Sequence, residues 1–340
     1  MLYPIYCIYT PKRTMFQIFN LSILLTAAVV ASGKCLNRWE SFQEFVARHN
    51  KAYDSFESFQ SRFLIYRDNM EYTELMNAQQ SNFTLGETIF ADLTLEEFQQ
   101  YHTSYSLDKS KCSTYVPANA DIPASLDWRT TNKVTGVKDQ GQCGSCWSFS
   151  ATGAMEGAWA ISTDELVSLS EQQLVDCSAG LKYGNHGCNG GLMDGAFQYA
   201  IDNGMCTEEN YLYKATDGTC KTECGPVVHF TGCSDVPANN QVALKEAVSI
   251  GPVSVAIEAD TRVFQLYTSG VLTGPECGTT LDHGVLITGY GTENGVEYWN
   301  VKNSWGESWG ESGYIKIGRS DSKKDAGVCG IAMQPSFIVV

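Results

Sequence analysis

The sequence predicts an α+β protein in which a helical half is followed by a β half with a cleft between them, behind a separate helical segment and an apolar leader. Three observations carry this. Residues 146–203 hold apolar residues at helical spacing; beyond about residue 250 the pattern turns to short β-branched runs; and residues 34 to about 110 differ in composition from everything after Ile122.

The leader comes first. Lys12 and Arg13 precede the apolar run Ile18–Val30, which ends in Ala31, Ser32 and Gly33. A cationic start, a short apolar stretch and a small-residue cut site describe a secretory signal peptide over residues 1–33. The run is shorter than the ~20 residues a membrane span needs, so no membrane anchor is expected. Met15 is an alternative start. With 13 cysteines, a secreted chain is expected to carry disulfides.

The segment 34–121 spaces Trp39, Phe42, Phe45 and Val46 as one helix, and Phe59, Phe63, Tyr66 and Met70 as a second over about Ser55–Ala78. Thr94 caps a short helix opening at Leu95-Glu96-Glu97. The stretch Ser104–Ala124, with Pro117 and Pro123, is a polar linker suited to cleavage. The body then runs from residue 122 to 340, its helical half about 122–235 and its β half about 236–340. Ser170 caps a helix at Glu171-Gln172-Gln173, and Leu192–Ile201 has helical spacing. Strands are expected at Val253–Ile257, Val285–Ile287, Tyr298–Val301 and Tyr314–Ile317. Hydrophobic residues at 43% allow a sizeable core, and a net charge of −15 argues against a nucleic-acid partner.

The chemistry concentrates in Gln140-Gly141-Gln142-Cys143-Gly144-Ser145-Cys146-Trp147. Cys146 is expected in the first turn of a helix, where unpaired backbone N–H groups favour a thiolate. A nucleophilic thiol needs an acid–base partner. His283 opens a β segment as Asp282-His283-Gly284, and Asn294-Gly295 follows as a hairpin turn. Pairing across that turn sets Asn303 opposite Leu286, within reach of His283, so Cys146, His283 and Asn303 can form a triad in which Asn303 orients the ring. Trp305 and Trp309 would shield that bond.

At these residues the body resembles the papain-family cysteine proteases, most of all the cathepsin L-like branch. The signature Cys-Gly-Ser/Ala-Cys-Trp/Tyr followed by His and Asn roughly 130–150 residues on is a general family pattern. Leu126-Asp127-Trp128-Arg129, Gly187-Cys188-Asn189-Gly190-Gly191-Leu192-Met193-Asp194 and Asn303-Ser304-Trp305-Gly306 extend the match along most of the chain. The resemblance implies a papain-like two-subdomain fold, with a helical half, an antiparallel barrel-like β half and a helical inhibitory propeptide over 34–121. It implies an endopeptidase made as a zymogen, released by acid, needing no metal or cofactor. Expected partners are protein and peptide substrates, its own propeptide and cystatin-type inhibitors, for a monomer resident in a lysosome, a vacuole or outside the cell. Gln140 would donate to the oxyanion. Gly190 and Gly191 would bind substrate backbone, and Leu192, Met193, Ala256, Leu281, Asp282 and Gln334 would form or border the pocket for the second residue before the scissile bond. Gln334, a neutral amide at its base, implies Leu, Phe or Val there rather than Arg. Trp305 would floor the leaving-group side. Arg62, Tyr66, Asn69 and Asn77 fit the propeptide's helical motif, with Glu57 one residue early and Thr73 in place of Ile. Gly86, Phe90 and Asp92 fit its second motif, with Thr88 in place of Asn.

Family matching pairs Cys143 with Cys188, Cys177 with Cys220, and Cys277 with Cys329. Cys206, Cys224 and Cys233 remain, for which one further bond, Cys206 with Cys224, and one free thiol are expected. Other readings stay in view: a Cys143/Cys146 redox pair, a zinc site of Cys143, Cys146 and His186, an inactive peptide-binding relative, or an exopeptidase. The first leaves Asp282-His283-Gly284 and Asn303-Ser304-Trp305 unexplained, and the second lacks a second ligand pair at the usual spacing. The presence of Cys146, His283 and Gln140 argues against the third, and the short Cys177–Cys188 interval against the fourth.

Overall fold

The computed structural model describes residues 36–102, 112–118 and 120–340. The signal peptide expected over 1–33 and most of the linker ahead of Cys112 lie outside them. The chain divides into two compact units, one ending at Tyr72 and the other running from Thr73 to Val340.

In the first unit, helix α1 spans 36–48 and α2 begins at Phe56, continuing to Gln79. Ser55 Oγ accepts the Ser58 N–H and caps α2. The aromatic spacing read from sequence becomes its core: Phe42, Phe45, Phe63 and Tyr66 are buried, and Trp39 meets Phe59 and Phe63 edge-on.

The second unit contains α3 (Leu95–His102), α4 (Cys146–Thr163), α5 (Glu171–Cys177), α6 (Met193–Asn203), α7 (Gln241–Ile250) and α8 (Arg262–Gln265). Its strands are β1 (Phe83–Leu85), β2 (Ser113–Thr114), β3 (Leu126–Asp127), β4 (Gly232–Asp235), β5 (Val253–Ile257), β6 (Tyr267–Leu272), β7 (His283–Glu293), β8 (Val296–Lys302), β9 (Tyr314–Gly318) and β10 (Ser336–Val339). Local capping chemistry sets several helix starts. Ser170 accepts the Gln173 N–H, and Thr94 and Glu97 bond reciprocally as a capping box. Helix α4 is apolar nearly all round, so it is buried at the centre of the helical half, against α5, α6 and β7. Trp147, Met155, Leu174, Phe197 and Met205 lie in that core.

The β half departs from the expected antiparallel barrel. The strands form one sheet in the order β1-β6-β9-β8-β7-β5-β10-β4-β2, with β3 on β7, and no pairing among the described residues closes it. Two pairs, β2–β4 and β6–β9, are parallel. Parallel neighbours need long connections, so no local turn marks them in the sequence. Helices α7 and α8 interrupt the region read as β, each capped by a side chain at its start, Asn240 and Thr261. Strands β1 and β2, from ahead of Ile122, join the sheet edges.

The Asn294-Gly295 turn has both residues at positive φ, 50° and 82°, as a two-residue hairpin requires. From Glu293↔Val296 to Gly289↔Asn300 the register is the one predicted. An irregularity between Ile287 and Gly289 then slips it by one, so Leu286 faces Lys302 rather than Asn303. Asn303 lies just past the end of β8.

Candidate active site

The loop carrying Gln140 to Ser145 is fastened before α4 begins. Cys143 is joined to Cys188, and Gly144 N–H donates to Cys188 O at 2.9 Å. Tyr213 Oη donates to Gln140 O at 2.8 Å and lies 2.6 Å from Ser145 Oγ. Burial holds the Tyr213 phenol neutral, well above its ordinary range. Helix α4 then opens at Cys146, whose thiol is buried at the positive end of the helix dipole.

Strand β7 brings His283 to this thiol. Gly284 N–H donates to Cys146 Sγ at 3.3 Å. A Cβ on Gly284 would sit 3.2 Å from the Trp147 backbone and from Met193 Sδ, so glycine is what lets β7 approach α4 this closely. His283 Nε2 lies 2.8 Å from Asn303 Oδ1, which also accepts the Ser304 N–H at 2.8 Å. An amide oxygen only accepts, so Nε2 carries the proton and Nδ1 is the nitrogen that exchanges one with a reactant. Trp305 stacks on the imidazole, centroids 4.7 Å apart, and both rings are buried.

Gln140 is fully buried, and its amide is oriented from both ends. Oε1 accepts from Ser304 Oγ at 2.7 Å, and Nε2 donates to Cys143 O at 3.0 Å. A primary amide has a second N–H, which can serve an oxyanion. Ser304 was not singled out in the sequence; its place between Asn303 and Trp305 was the available signal.

Below these groups lies a buried charged cluster that the sequence did not announce. Lys138 Nζ is 3.0 Å from Glu156 and 2.6 Å from Glu171, both carboxylates nearly fully buried. Burial opposes the Lys138 charge, but the two carboxylates outweigh it and raise its pKa. Lys302, next to Asn303, donates to Thr135 O at 2.9 Å, and burial lowers its pKa. Asp282 accepts from Ala259 N–H at 2.8 Å; burial and the charge of Asp260 push its carboxyl up.

The proposed substrate residues fall into groups. Gly190 has φ +104°, and a Cβ on Gly191 would meet the Trp147 ring at 2.7 Å. Leu192, Met193 and Gln334 line one cavity of about 360 Å³. Ala256 is buried in the same core as Met193, with Leu281 packed against it, and neither lines that cavity.

Residues 83–99 cover Trp305 and the Gln265 region of the body. Strand β1 pairs antiparallel with β6, Thr88 Oγ donates to Gln265 O, and Gln265 Nε2 donates to Phe90 O and Leu93 O. Phe90 and Phe98 meet Trp305 edge-on at 5.6 and 5.3 Å.

Disulfides also join Cys177 to Cys220, Cys206 to Cys224, and Cys277 to Cys329. The free thiol expected among Cys206, Cys224 and Cys233 is not there, because Cys233 is joined to Cys112. Cys146 is the free cysteine among the described residues. Cys143, tied to Cys188, does not pair with Cys146, which removes the redox-pair reading and the zinc site built on it.

The model for "Papain family cysteine protease" matches residues 122–339. The chain belongs to the papain family. A second model, "Cathepsin propeptide inhibitor domain", matches residues 42–98, so this papain-family protease carries an inhibitor propeptide, consistent with a zymogen. Relatives include the senescence-specific cysteine protease SAG39 of Oryza sativa subsp. japonica, 45% identical, covering 87% of this chain and 88% of its own length. The cysteine proteinase RD21A of Arabidopsis thaliana is also 45% identical over 87% of this chain, which spans 65% of that longer relative. Among solved structures, a recombinant stem bromelain precursor has a TM-score of 0.83 at 37% identity, covering 89% of this chain and 99% of its own. Digestive procathepsin L 3 of Tenebrio molitor larval midgut has a TM-score of 0.81 at 40% identity, with the same coverage. No helix among the described residues is long and apolar enough to cross a membrane.

Proposed function

We propose that this papain-family protease is an endopeptidase of the secretory pathway, kept in a lysosome-like or vacuolar compartment or released, and active once acid has loosened its propeptide. The observation that carries the reading is the His283–Asn303 bond at 2.8 Å, set beside a thiol at the start of α4.

The Cys146 thiolate attacks the peptide carbonyl carbon, and the carbonyl electron pair moves to oxygen. That oxyanion rests on the Cys146 N–H and the free N–H of Gln140. His283, protonated on Nδ1, gives its proton to the leaving amine as the C–N bond breaks. It then takes a proton from water, whose oxygen attacks the thioester and returns the thiolate. Asn303 holds the ring throughout. Leu192, Met193 and the neutral amide of Gln334 support a pocket for Leu, Phe or Val at the second position before the scissile bond; Asp194 and Asp235 line the same cavity.

The pro-segment's Gln99 donates to Asp260 O at 2.9 Å and to its carboxylate at 3.4 Å. Burial, then the charge of Glu258, pushes the Asp260 carboxyl up, so protonation favours the covered form and this contact is kept, not released, in acid. The boundaries proposed are a signal peptide over 1–33, a propeptide over 34–121 and a mature enzyme over 122–340, acting as a monomer open to cystatin-type inhibitors.

The test is peptidase activity of acid-processed protein on a fluorogenic peptide with Leu or Phe at that second position. Cys146→Ser and active-site titration with a thiol-directed epoxide are run beside it. Activity absent from the mutant, with one equivalent of epoxide on the wild type, is expected. An inert protein whose pro-segment has demonstrably gone would refute the proposal, and Arg preferred at that position would refute the proposed selectivity of the pocket.

A further inference from the structure

Cys233, the cysteine that sequence left without a partner, is bonded to Cys112, ahead of Ile122 and 121 residues away, with Cα atoms 4.9 Å apart. The residues just after Cys112 are laid along the body. Ser113 and Thr114 form β2, parallel to Ser234 and Asp235 of β4, and Ser113 Oγ donates to Cys233 O at 2.9 Å. Tyr115 N–H donates to Asp235 O at 2.7 Å, its ring lies edge-on to Phe337, and its hydroxyl donates to Glu246 at 2.9 Å. The same Glu246 carboxylate accepts the Ala118 N–H. The strap therefore has a covalent clasp at one end and a buried carboxylate at the other.

Thr114 stands on the rim of the 360 Å³ cavity lined by Leu192, Met193 and Gln334. We propose that the Cys112–Cys233 bond keeps residues 112–118 on the enzyme after the inhibitory segment has been cut away, making Thr114 a specificity-determining wall of the pocket for the second residue before the scissile bond. The identity of that pocket rests on the proposed function; the retention of the strap does not.

Two physical arguments support retention. A protease takes its substrate as extended, unpaired backbone, and the N–H groups of Tyr115 and Ala118 are already bonded to the body, so cuts fall more readily ahead of the clasp or at the 121–122 boundary than within the strap. A strand this short would leave if held by hydrogen bonds alone. A covalent link makes each rebinding intramolecular, at an effective concentration that free peptide never reaches.

Full-length precursor is activated, and the active, epoxide-titratable protein is digested without reduction and mapped by mass spectrometry. A peptide joining Cys112 to Cys233 is expected. An active enzyme that begins after Cys112, with Cys233 as a thiol, overturns the proposal. For the pocket wall, Thr114→Trp should lower the kcat/KM ratio of Phe to Ala at the second position by about tenfold, the scale on which apolar pockets discriminate by size. The epoxide titre should not change. A ratio that stays at the wild-type value would remove Thr114 from the pocket. Because the ratio is read against wild type whatever residue that enzyme prefers, a preference for Arg would refute the pocket's proposed selectivity without touching the mapped disulfide.

Discussion

The strength of the pro-segment's hold on the site can be weighed at Phe98. Its ring is fully buried, 5.3 Å from Trp305 and 5.5 Å from Phe90. Truncating a buried Phe to Ala costs about 3–5 kcal/mol, to which the edge-on aromatic contacts contribute. When the segment lifts off, residue 98 faces water whichever side chain it carries, so the cost falls on the closed form alone. Helix α3 keeps the Gln99 bonds to Asp260, and the void can partly collapse, so the lower figure applies. About 3 kcal/mol moves the open–closed equilibrium by about 150-fold. The assay is the rate at which a thiol-directed epoxide labels Cys146 in uncleaved precursor at neutral pH, with integrity checked by mass. Phe98→Ala should label about 150-fold faster than wild type by the same arithmetic, and Phe98→Leu should recover most of the difference. A folded Phe98→Ala precursor labelled at the wild-type rate would refute the claim that this ring keeps the site covered.

Three further outcomes are expected. In a Cys146→Ser background that stops self-digestion, Lys138→Met should lower unfolding stability by about 3–5 kcal/mol, because it strands the Glu156 and Glu171 carboxylates in the interior; a loss under about 1 kcal/mol would show that solvent reaches them. Burial pushes Glu208 from 4.5 to about 7, against the Tyr213 N–H that pulls it down and with the charge of Glu171 adding. The folded state therefore keeps a proton that the unfolded chain loses across this window, and stability falls as pH rises from 4.5 to 7, by about 1–2 kcal/mol after discounting for partial exposure. Glu208→Gln should flatten that slope in urea melts, and an unchanged slope would assign it to another group. Ser304→Ala frees the Gln140 amide and should cost about two- to tenfold in kcat/KM, below the 10²–10³ of losing an oxyanion donor outright. In a Gln140→Ala background its effect should vanish, and a persistent effect would mean Ser304 acts elsewhere.

The elements legible in the sequence were those whose cause is local. The spacing of Phe59, Phe63, Tyr66 and Met70 lies within α2, and Val253–Ile257 is β5 as expected. The caps at Asn240 and Thr261 were equally local, and reading them would have placed α7 and α8. The bulge near Thr288 had no marker, so the register failed by one residue four pairs short of His283. Asn303 was found nonetheless because its side chain, beyond the strand end, spans that error. Non-local features were not legible: the parallel pairs β2–β4 and β6–β9, and the bond from Cys112 to Cys233, join segments that no pattern within a window connects.

The site is held by polar contacts that run between the helical and β halves. Gln140 is oriented by Ser304, Cys146 accepts from Gly284, Ser150 Oγ donates to Val285 O at 2.6 Å, and Lys302 reaches Thr135. Each of these groups is costly to bury unpaired, so the halves can close only in the register that satisfies all of them together. An apolar interface of the same size would tolerate sliding, and a slide of an ångström would separate thiol, imidazole and oxyanion donor. With the pro-segment in place, the His283–Asn303 bond and the Gly284 contact to Cys146 are already made. The pro-segment thus covers an assembled site, meeting it at Trp305, Gln265 and Asp260. On the proposed mechanism activation is an uncovering, with the order of Cys146, His283 and Gln140 settled earlier, when the two halves fold against each other.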